Sequence, residues 1–402
     1  MLTLFKSMDC VNTFIKLTRK GVSISVYKMA QHIINTRFGL RGMLKQDHLR
    51  AVETSIKESD LTPDLEPTIR GRLQSLAAEI VKQPSLIFAD STTLAEKQAD
   101  WSNLIKKKVL EAGDIQAIDA RSRPGHLIID NRMPHFWSVA NWKGLSVTDL
   151  AKEQSIVEKA LWNNLKMHTT PYASEIRRTL VMVGGLSNVT KYRAPLAKGI
   201  VQWANAKTVL DPCIGWGGRM LGALAASSDV QYVGAEPCLQ TFEGLKGILA
   251  DLPPASAKRA TVTNEIGEAL LDRLLAADAK FDMVLTSPPY FNLEVYSKEE
   301  TQSIVAYPTW MTWLTEWLEP LIARCLYLLK DDGISCWSVK NIRTDREYNL
   351  ADEVQAIHKL HGWTLVKTVK MTGSARPGGG RIKDGEETRQ SEEETFCFRK
   401  TG

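Results

Sequence analysis

The chain has 402 residues, enough for two or three domains, and its 44% hydrophobic and 24% charged content is that of a globular protein. A formal net charge of +5 is too small to mark a polyanion binder by itself, and six scattered cysteines without a Cys-x-x-Cys pair carry no zinc signature. No apolar run reaches bilayer length and no charged-then-apolar leader opens the chain, so a cytoplasmic protein with no membrane partner is expected.

The first fifty residues are lopsided in charge. Lys6, Lys16, Arg19, Lys20, Lys28, Arg37, Arg41, Lys45 and Arg50 face only Asp9 and Asp47, with Phe5, Phe14, Tyr27 and Phe38 interleaved. Such a stretch is either a nucleic-acid-facing segment or a solvated helical face. From Gln46 to Ala112 the pattern is helical, so 1–120 reads as a mainly helical region that binds nucleic acid or a partner. Residues 121–187 read as a connecting segment: a linker at Arg121–Gly125, a short strand at His126–Asp130, and a helix from Leu145 to Leu165 that only superficially resembles a helix-turn-helix. His126, His135 and His168 lack ligand spacing, and no metal site is expected.

Beyond residue 188 apolar runs alternate with helical patterns, which predicts a doubly wound α/β sheet. Thr208 to Leu210 is a short strand ending in Asp211-Pro212-Cys213-Ile214-Gly215-Trp216-Gly217-Gly218, a glycine-rich turn before a helix that lets backbone approach a ligand closely. The next run, Gln231 to Ala235, ends at Glu236 and Pro237, roughly where doubly wound folds place the acid that holds a ribose diol. A third run, Ala260 to Thr263, ends at Asn264-Glu265-Ile266, a candidate adenine edge. The fourth, Asp282 to Thr286, stops at Ser287-Pro288-Pro289-Tyr290. Two prolines fix φ and remove two donors, so this corner leaves the Ser287 hydroxyl and nearby carbonyls free to hold an amine, with the Tyr290 ring as a stacking face. A stiff strand-to-loop turn is the plainer reading of the tetrapeptide alone.

In this order the motifs resemble those of S-adenosylmethionine-dependent amino-methyltransferases of DNA, and the wording DPCIGWGGRMLGA with TSPPYFNLEVYS looks like phage-type members. The resemblance covers roughly the last 215 residues. It implies a catalytic domain at 188–402 with a Rossmann-like sheet of seven strands and an antiparallel last strand. It implies S-adenosylmethionine as cofactor, held by Asp211, Pro212, Cys213, Gly215, Trp216, Gly217, Glu236, Pro237, Glu265 and Thr286, and by Lys191, Tyr192 and Arg193 ahead of the first strand. Ser287, Pro288, Pro289 and Tyr290 would be catalytic on a base flipped out of double-stranded DNA. Phe291, Glu294 and Tyr296 would line the base pocket, and Arg376 and Arg381, in a Gly-rich basic loop, would track phosphates. Serine at the head of the motif leans toward N4 of cytosine, with N6 of adenine as the alternative. RNA, a protein glutamine amide, or a non-catalytic DNA-binding role on the same fold remain open, as do oligomeric state and any restriction partner.

The helix around Trp310, Trp313 and Trp317 places three tryptophans on one face, which predicts packing against the sheet. Strands are then expected at Ile334–Val339, Trp363–Met371 and Thr395–Arg399, around a helix at Leu350–Leu360.

Overall fold

The computed structural model describes residues 66–88, 92–115, 118–119, 122–166, 173–186, 190–296, 299–372 and 394–401. The basic stretch before residue 50 and the loop carrying Arg376 and Arg381 lie outside them. Of the described residues, 66–88 and 145–186 form one compact unit, and 92–144 with 190–401 form the other.

The first unit is helical: Glu66–Lys82, Ser85–Phe88, Val147–Leu150, Gln154–Lys166 and Ala173–Val183. Arg70 lies 4.1 Å from the Trp162 ring centre, and the Arg177 guanidinium donates to the Ile87 carbonyl. The helix expected from Leu145 to Leu165 is in fact two. Ser146 and Asp149 form a reciprocal capping box that starts one turn, and a second helix begins at Gln154.

The second unit is built on seven strands: β1 (Thr208–Asp211), β2 (Gln231–Ala235), β3 (Ala260–Thr263), β4 (Phe281–Thr286), β5 (Leu329–Val339), β6 (Trp363–Thr372) and β7 (Glu394–Lys400). Their order is β6-β7-β5-β4-β1-β2-β3, with the two-residue strand Ile118–Asp119 added beside β6. All are parallel except β7, which runs antiparallel between β5 and β6. This is the expected shape, including the reversed last strand. The two differences inside it have local causes. β5 starts at Leu329 instead of Ile334, because Asp332-Gly333 makes a bulge within the strand and not a turn before it. The tryptophan helix, Trp310 to Tyr327, widens into a π-helical stretch at Trp313–Leu318, just before Pro320, which has no N–H to give the preceding turn.

Strand alternation decides which side chains meet which layer. Val209, Met283, Leu285 and Cys336 face one core, covered by α1 (Ala194–Trp203), α2 (Gly218–Ala226) and α3 (Leu239–Asp251). Leu210, Val284, Trp337 and Phe398 face the other, covered by α4 (Gly267–Ala276), the tryptophan helix and α5 (Leu350–Leu360). Trp313 and Trp317 are buried in this second core, as their spacing predicts.

Residues 92–144 pack with the seven-stranded sheet, so the observed units differ from the division at 120 and 187 read in the sequence. Asp251 on α3 receives both Lys97 (2.8 Å) and the fork of Arg132 (2.7 and 2.6 Å). Lys198 on α1 donates to the carbonyls of Leu104, Ile105 and Lys107, closing the end of the helix Leu94–Lys106. The segment His126–Arg132 is a helix and not a strand. Its short apolar run fits either form, and a distant partner decides: Asp100 accepts the Leu127 N–H at 2.9 Å, capping the helix from outside.

Candidate active site

The strand sequence moves outward from β1 to β3 and then returns to β4 on the other side of β1, so the crevice at the carboxyl ends of β1 and β4 is the topological switch point of the sheet. A pocket opens there, and a second lobe adjoins it through the shared walls of Cys213, Gly215, Trp216, Ser287 and Tyr296. The glycine turn after β1, the corner after β4 and Glu236 after β2 all meet in this space.

Gly215 and Gly217 hold φ of +58° and +85°, backbone that other residues rarely adopt. At Gly215 nothing lies within 4 Å of where a Cβ would stand, whereas at Gly217 a Cβ would come within 2.9 Å of Leu245. The first glycine therefore keeps the cradle open and the second lets α2 pack.

Glu236 is buried in the wall of the larger lobe. It accepts the Gly215 N–H and the Cys238 N–H, both at 3.0 Å. Burial outweighs these two bonds and pushes its carboxyl up to about 7. A buried acid with oxygen lone pairs to spare, beside an open glycine turn, fits a ligand that brings hydroxyl donors. A ribose diol is such a ligand. Pro212, Trp216, Pro237 and Ile266 supply apolar walls beside it.

Asp211 does a different job from the one its motif suggests. It is fully buried and lines neither lobe. Arg219 Nε, at 2.8 Å, and the Tyr232 hydroxyl, at 2.7 Å, donate to Oδ2. The Thr286 hydroxyl donates to Oδ1 at 2.7 Å. One carboxylate thus ties the carboxyl ends of β1 and β4 to the start of α2 and, through the long Tyr232 side chain, to the first residues of β2. Arg219 in turn donates to the Cys213 and Ile214 carbonyls, fixing the turn. Thr286 belongs to this latch and lies beneath the corner.

At the corner, the Ser287 hydroxyl donates to the Tyr290 hydroxyl at 3.3 Å, which donates to the Ser338 carbonyl at 3.2 Å. Ser287 Oγ has spent its proton, so toward the cavity it is an acceptor. Tyr290 is only 7% exposed. It braces Ser287 through its hydroxyl, and the rings bordering both lobes are Trp216 and Tyr296, 6.0 Å apart.

Of the residues expected in the site, Pro212, Cys213, Gly215, Trp216, Glu236, Pro237, Ser287, Pro289 and Tyr296 line the larger lobe, and Tyr192, Pro288 and Tyr290 line the smaller. Others do not reach it. Lys191 pairs with Asp130 at 2.6 Å and Arg193 meets His126, so both hold the N-terminal segment. Glu265 pairs with Arg273 at 2.6 Å, and its neighbour Ile266 faces the cavity instead. Phe291, at φ +44°, is buried against Trp310, Trp313 and Tyr348 and so cannot touch a base. Glu294 pairs through its backbone with Asn141, and its side chain lies outside the described residues. Thr190, Thr241, Arg219 and Gln302 line the lobes without having been singled out, and nothing in their local sequence marks them.

Residues 281–402, which carry β4 to β7, match the family profile described as DNA methylase. This match supports S-adenosylmethionine-dependent methyl transfer. No curated protein matches the chain. Among solved structures the chain is similar to a precorrin-6y C5,15-methyltransferase from Geobacter metallireducens (15% identity, 48% of this chain and 79% of that one, TM-score 0.31). It is similar also to an O-methyltransferase from Bacillus cereus (11%, 62% and 92%, TM-score 0.34) and a putative rRNA methylase from Clostridium thermocellum (11%, 53% and 99%, TM-score 0.33).

Proposed function

We propose that the protein methylates the exocyclic amino group of a base in DNA, N4 of cytosine, on a nucleotide flipped out of the duplex. The observation that carries this reading is the Ser287-Pro288-Pro289-Tyr290 corner, set beside the Glu236 lobe at the switch point of the sheet. The DNA methylase profile over residues 281–402 supports DNA as the substrate. Motif wording supports a phage-type enzyme working in the cytoplasm of a bacterial or phage-infected cell; among the described residues no helix is long and apolar enough to cross a membrane.

When bound, S-adenosylmethionine supplies an electrophilic methyl group on a sulfonium. Glu236 would hold its ribose, and the Gly215 turn would pass close to it. The amine of a base is a weak nucleophile because its lone pair is delocalised into the ring. Ser287 Oγ, held in acceptor orientation by Tyr290, takes a hydrogen bond from the NH₂ and favours a more tetrahedral nitrogen. The proline corner keeps that oxygen fixed, and no covalent enzyme intermediate is needed. Adenine N6 is the second reading, since the same acceptors suit its NH₂.

The test is to separate cytosine and adenine substrates in one reaction. Duplexes containing only one of the two unmodified amines are incubated with labelled S-adenosylmethionine, and label is expected in the cytosine duplex. Label confined to the adenine duplex overturns the N4 assignment while leaving the chemistry intact.

A further inference from the structure

The loop that leaves the catalytic corner, residues 291–296, is gripped by two small β-ribbons that belong to no other feature of the site. On one side Ala140–Asn141 pairs antiparallel with Glu294–Val295, with Asn141 opposite Glu294. The ribbon turns tightly: the Asn141 carbonyl accepts the Gly144 N–H at 2.8 Å and the Asn141 side chain accepts the Lys143 N–H at 2.9 Å. Trp142 stands at its tip, 39% exposed, with Lys143 Nζ 5.0 Å from its ring centre.

On the other side Ile342–Arg343 pairs antiparallel with Glu347–Tyr348, directly after β5 leaves the sheet at its carboxyl end. Asp345 in this turn accepts from Asn292 Nδ2 (3.0 Å), Thr344 Oγ1 (2.8 Å) and the Tyr348 hydroxyl (3.0 Å). The Tyr348 ring packs on Phe291 at 5.2 Å and Trp310 at 4.9 Å. The ribbon is therefore bolted to the two residues that follow Tyr290. Asn292 and Glu294 are two positions apart, roughly 7 Å of chain, so the ribbons flank one narrow stretch beside the corner.

Each ribbon presents cations that the protein does not use. Among the described residues the side chains of Lys143, Arg343 and Arg346 make no ion pair; that of Lys143 lies against the Trp142 ring and that of Arg346 against the Tyr348 ring. Glu347, opposite Arg343 in the ribbon, forms no ion pair with it. Arg343 and Arg346 are exposed. Exposed cations on two ribbons that both join the loop leaving the Ser287–Tyr290 corner, one of them with an exposed tryptophan, suit a phosphate backbone better than a small ligand.

We propose that the two ribbons, through Lys143, Arg343 and Arg346, contact backbone phosphates on either side of the target nucleotide, and that Trp142 stacks on a neighbouring base. This rests on the nucleic-acid reading above. The ribbons would position the strand and carry no sequence information themselves.

The test is the salt dependence of DNA binding by the full chain, with cofactor binding measured by calorimetry on the same preparations. Lys143→Ala, Arg343→Ala and Arg346→Ala are each expected to lower the slope of log affinity against log salt by about 1. Trp142→Ala should weaken binding with the slope unchanged, because stacking releases no counterion. Lys280→Ala, at the opposite end of β4, is the control and should change neither. Unchanged slopes in the three cation variants, with wild-type protein binding and methylating DNA normally, overturn the ribbons and leave the function standing. Wild-type protein that binds cofactor but neither binds nor methylates any nucleic acid, and instead labels a protein substrate, overturns both.

Discussion

The two ends of the sheet handle acidic residues in opposite ways. At the amino end Asp282 accepts the Lys207 and Thr208 N–H groups, each at 2.8 Å, and pairs with Lys330 at 2.6 Å. Burial alone would raise its carboxyl, yet these partners outweigh it and hold it below the usual carboxylate range. At the carboxyl end Asp211 is locked into a latch of Arg219, Tyr232 and Thr286, while Glu236 has two backbone donors and is pushed up to about 7. An acid that the fold satisfies ties strands together. An acid that the fold leaves short of donors marks where a ligand completes the structure. The carboxyl end has one of each, side by side.

Breaking the latch should have the largest effect. Asp211→Ala leaves Arg219 buried without its partner, and a loss of about 3–5 kcal/mol in unfolding free energy is expected from denaturant titration. Cofactor binding falls with it, through the collapse of the turn. The corner comes next. Ser287→Ala and Tyr290→Phe should lower methyl transfer by roughly 10²–10³ and less, respectively, with cofactor affinity retained, as single-turnover kinetics and calorimetry would report. Equal loss of cofactor affinity in Ser287→Ala would move that residue from catalysis to binding.

Glu236 sharpens the comparison through pH. Its folded-state value lies above the ordinary 4.5, so between about 4.5 and 7 the folded protein binds the extra proton. Stability of the free protein from this group therefore falls as pH rises through that window. A ribose diol donates best to the ionised form, so cofactor affinity should rise through pH 7, and Glu236→Gln should weaken binding by about 1–2 kcal/mol and flatten the profile relative to wild type measured in parallel. Asp282 behaves in the reverse sense. Its value is depressed, so its contribution is present above the ordinary aspartate range and is lost as pH falls below it. Because it is partly exposed, Asp282→Ala should cost only about 1 kcal/mol and leave methyl transfer near wild type.

What the sequence made legible was local. Strand ends, the glycine turn and the proline corner depend on neighbours a few residues away, and Glu236 and Ser287 sit where those signals point. The doubly wound sheet with its reversed last strand followed from alternation of runs and a hairpin at the end, whereas the strand order did not. Long-range partners were invisible. Lys191 and Arg193 carry the look of a ligand motif, but Asp130 and His126, some sixty residues upstream, claim them. Asp211 resembles a cofactor ligand until Arg219, Tyr232 and Thr286 are seen around it. Phe291 follows Tyr290 directly, yet a positive φ turns it into the core against Trp310 and Tyr348. The strand read at His126–Asp130 became a helix because Asp100 capped it from another element.

The central claim is the chemistry at the corner, and one measurement reaches it most directly. Purified protein is incubated with labelled S-adenosylmethionine and unmethylated DNA, the DNA is digested to nucleosides, and the labelled nucleoside is identified by mass. N4-methylcytosine is the expected product, and N6-methyladenine would keep the amino-methyltransferase account while changing the base. Tight cofactor binding with no label in any nucleoside would contradict it.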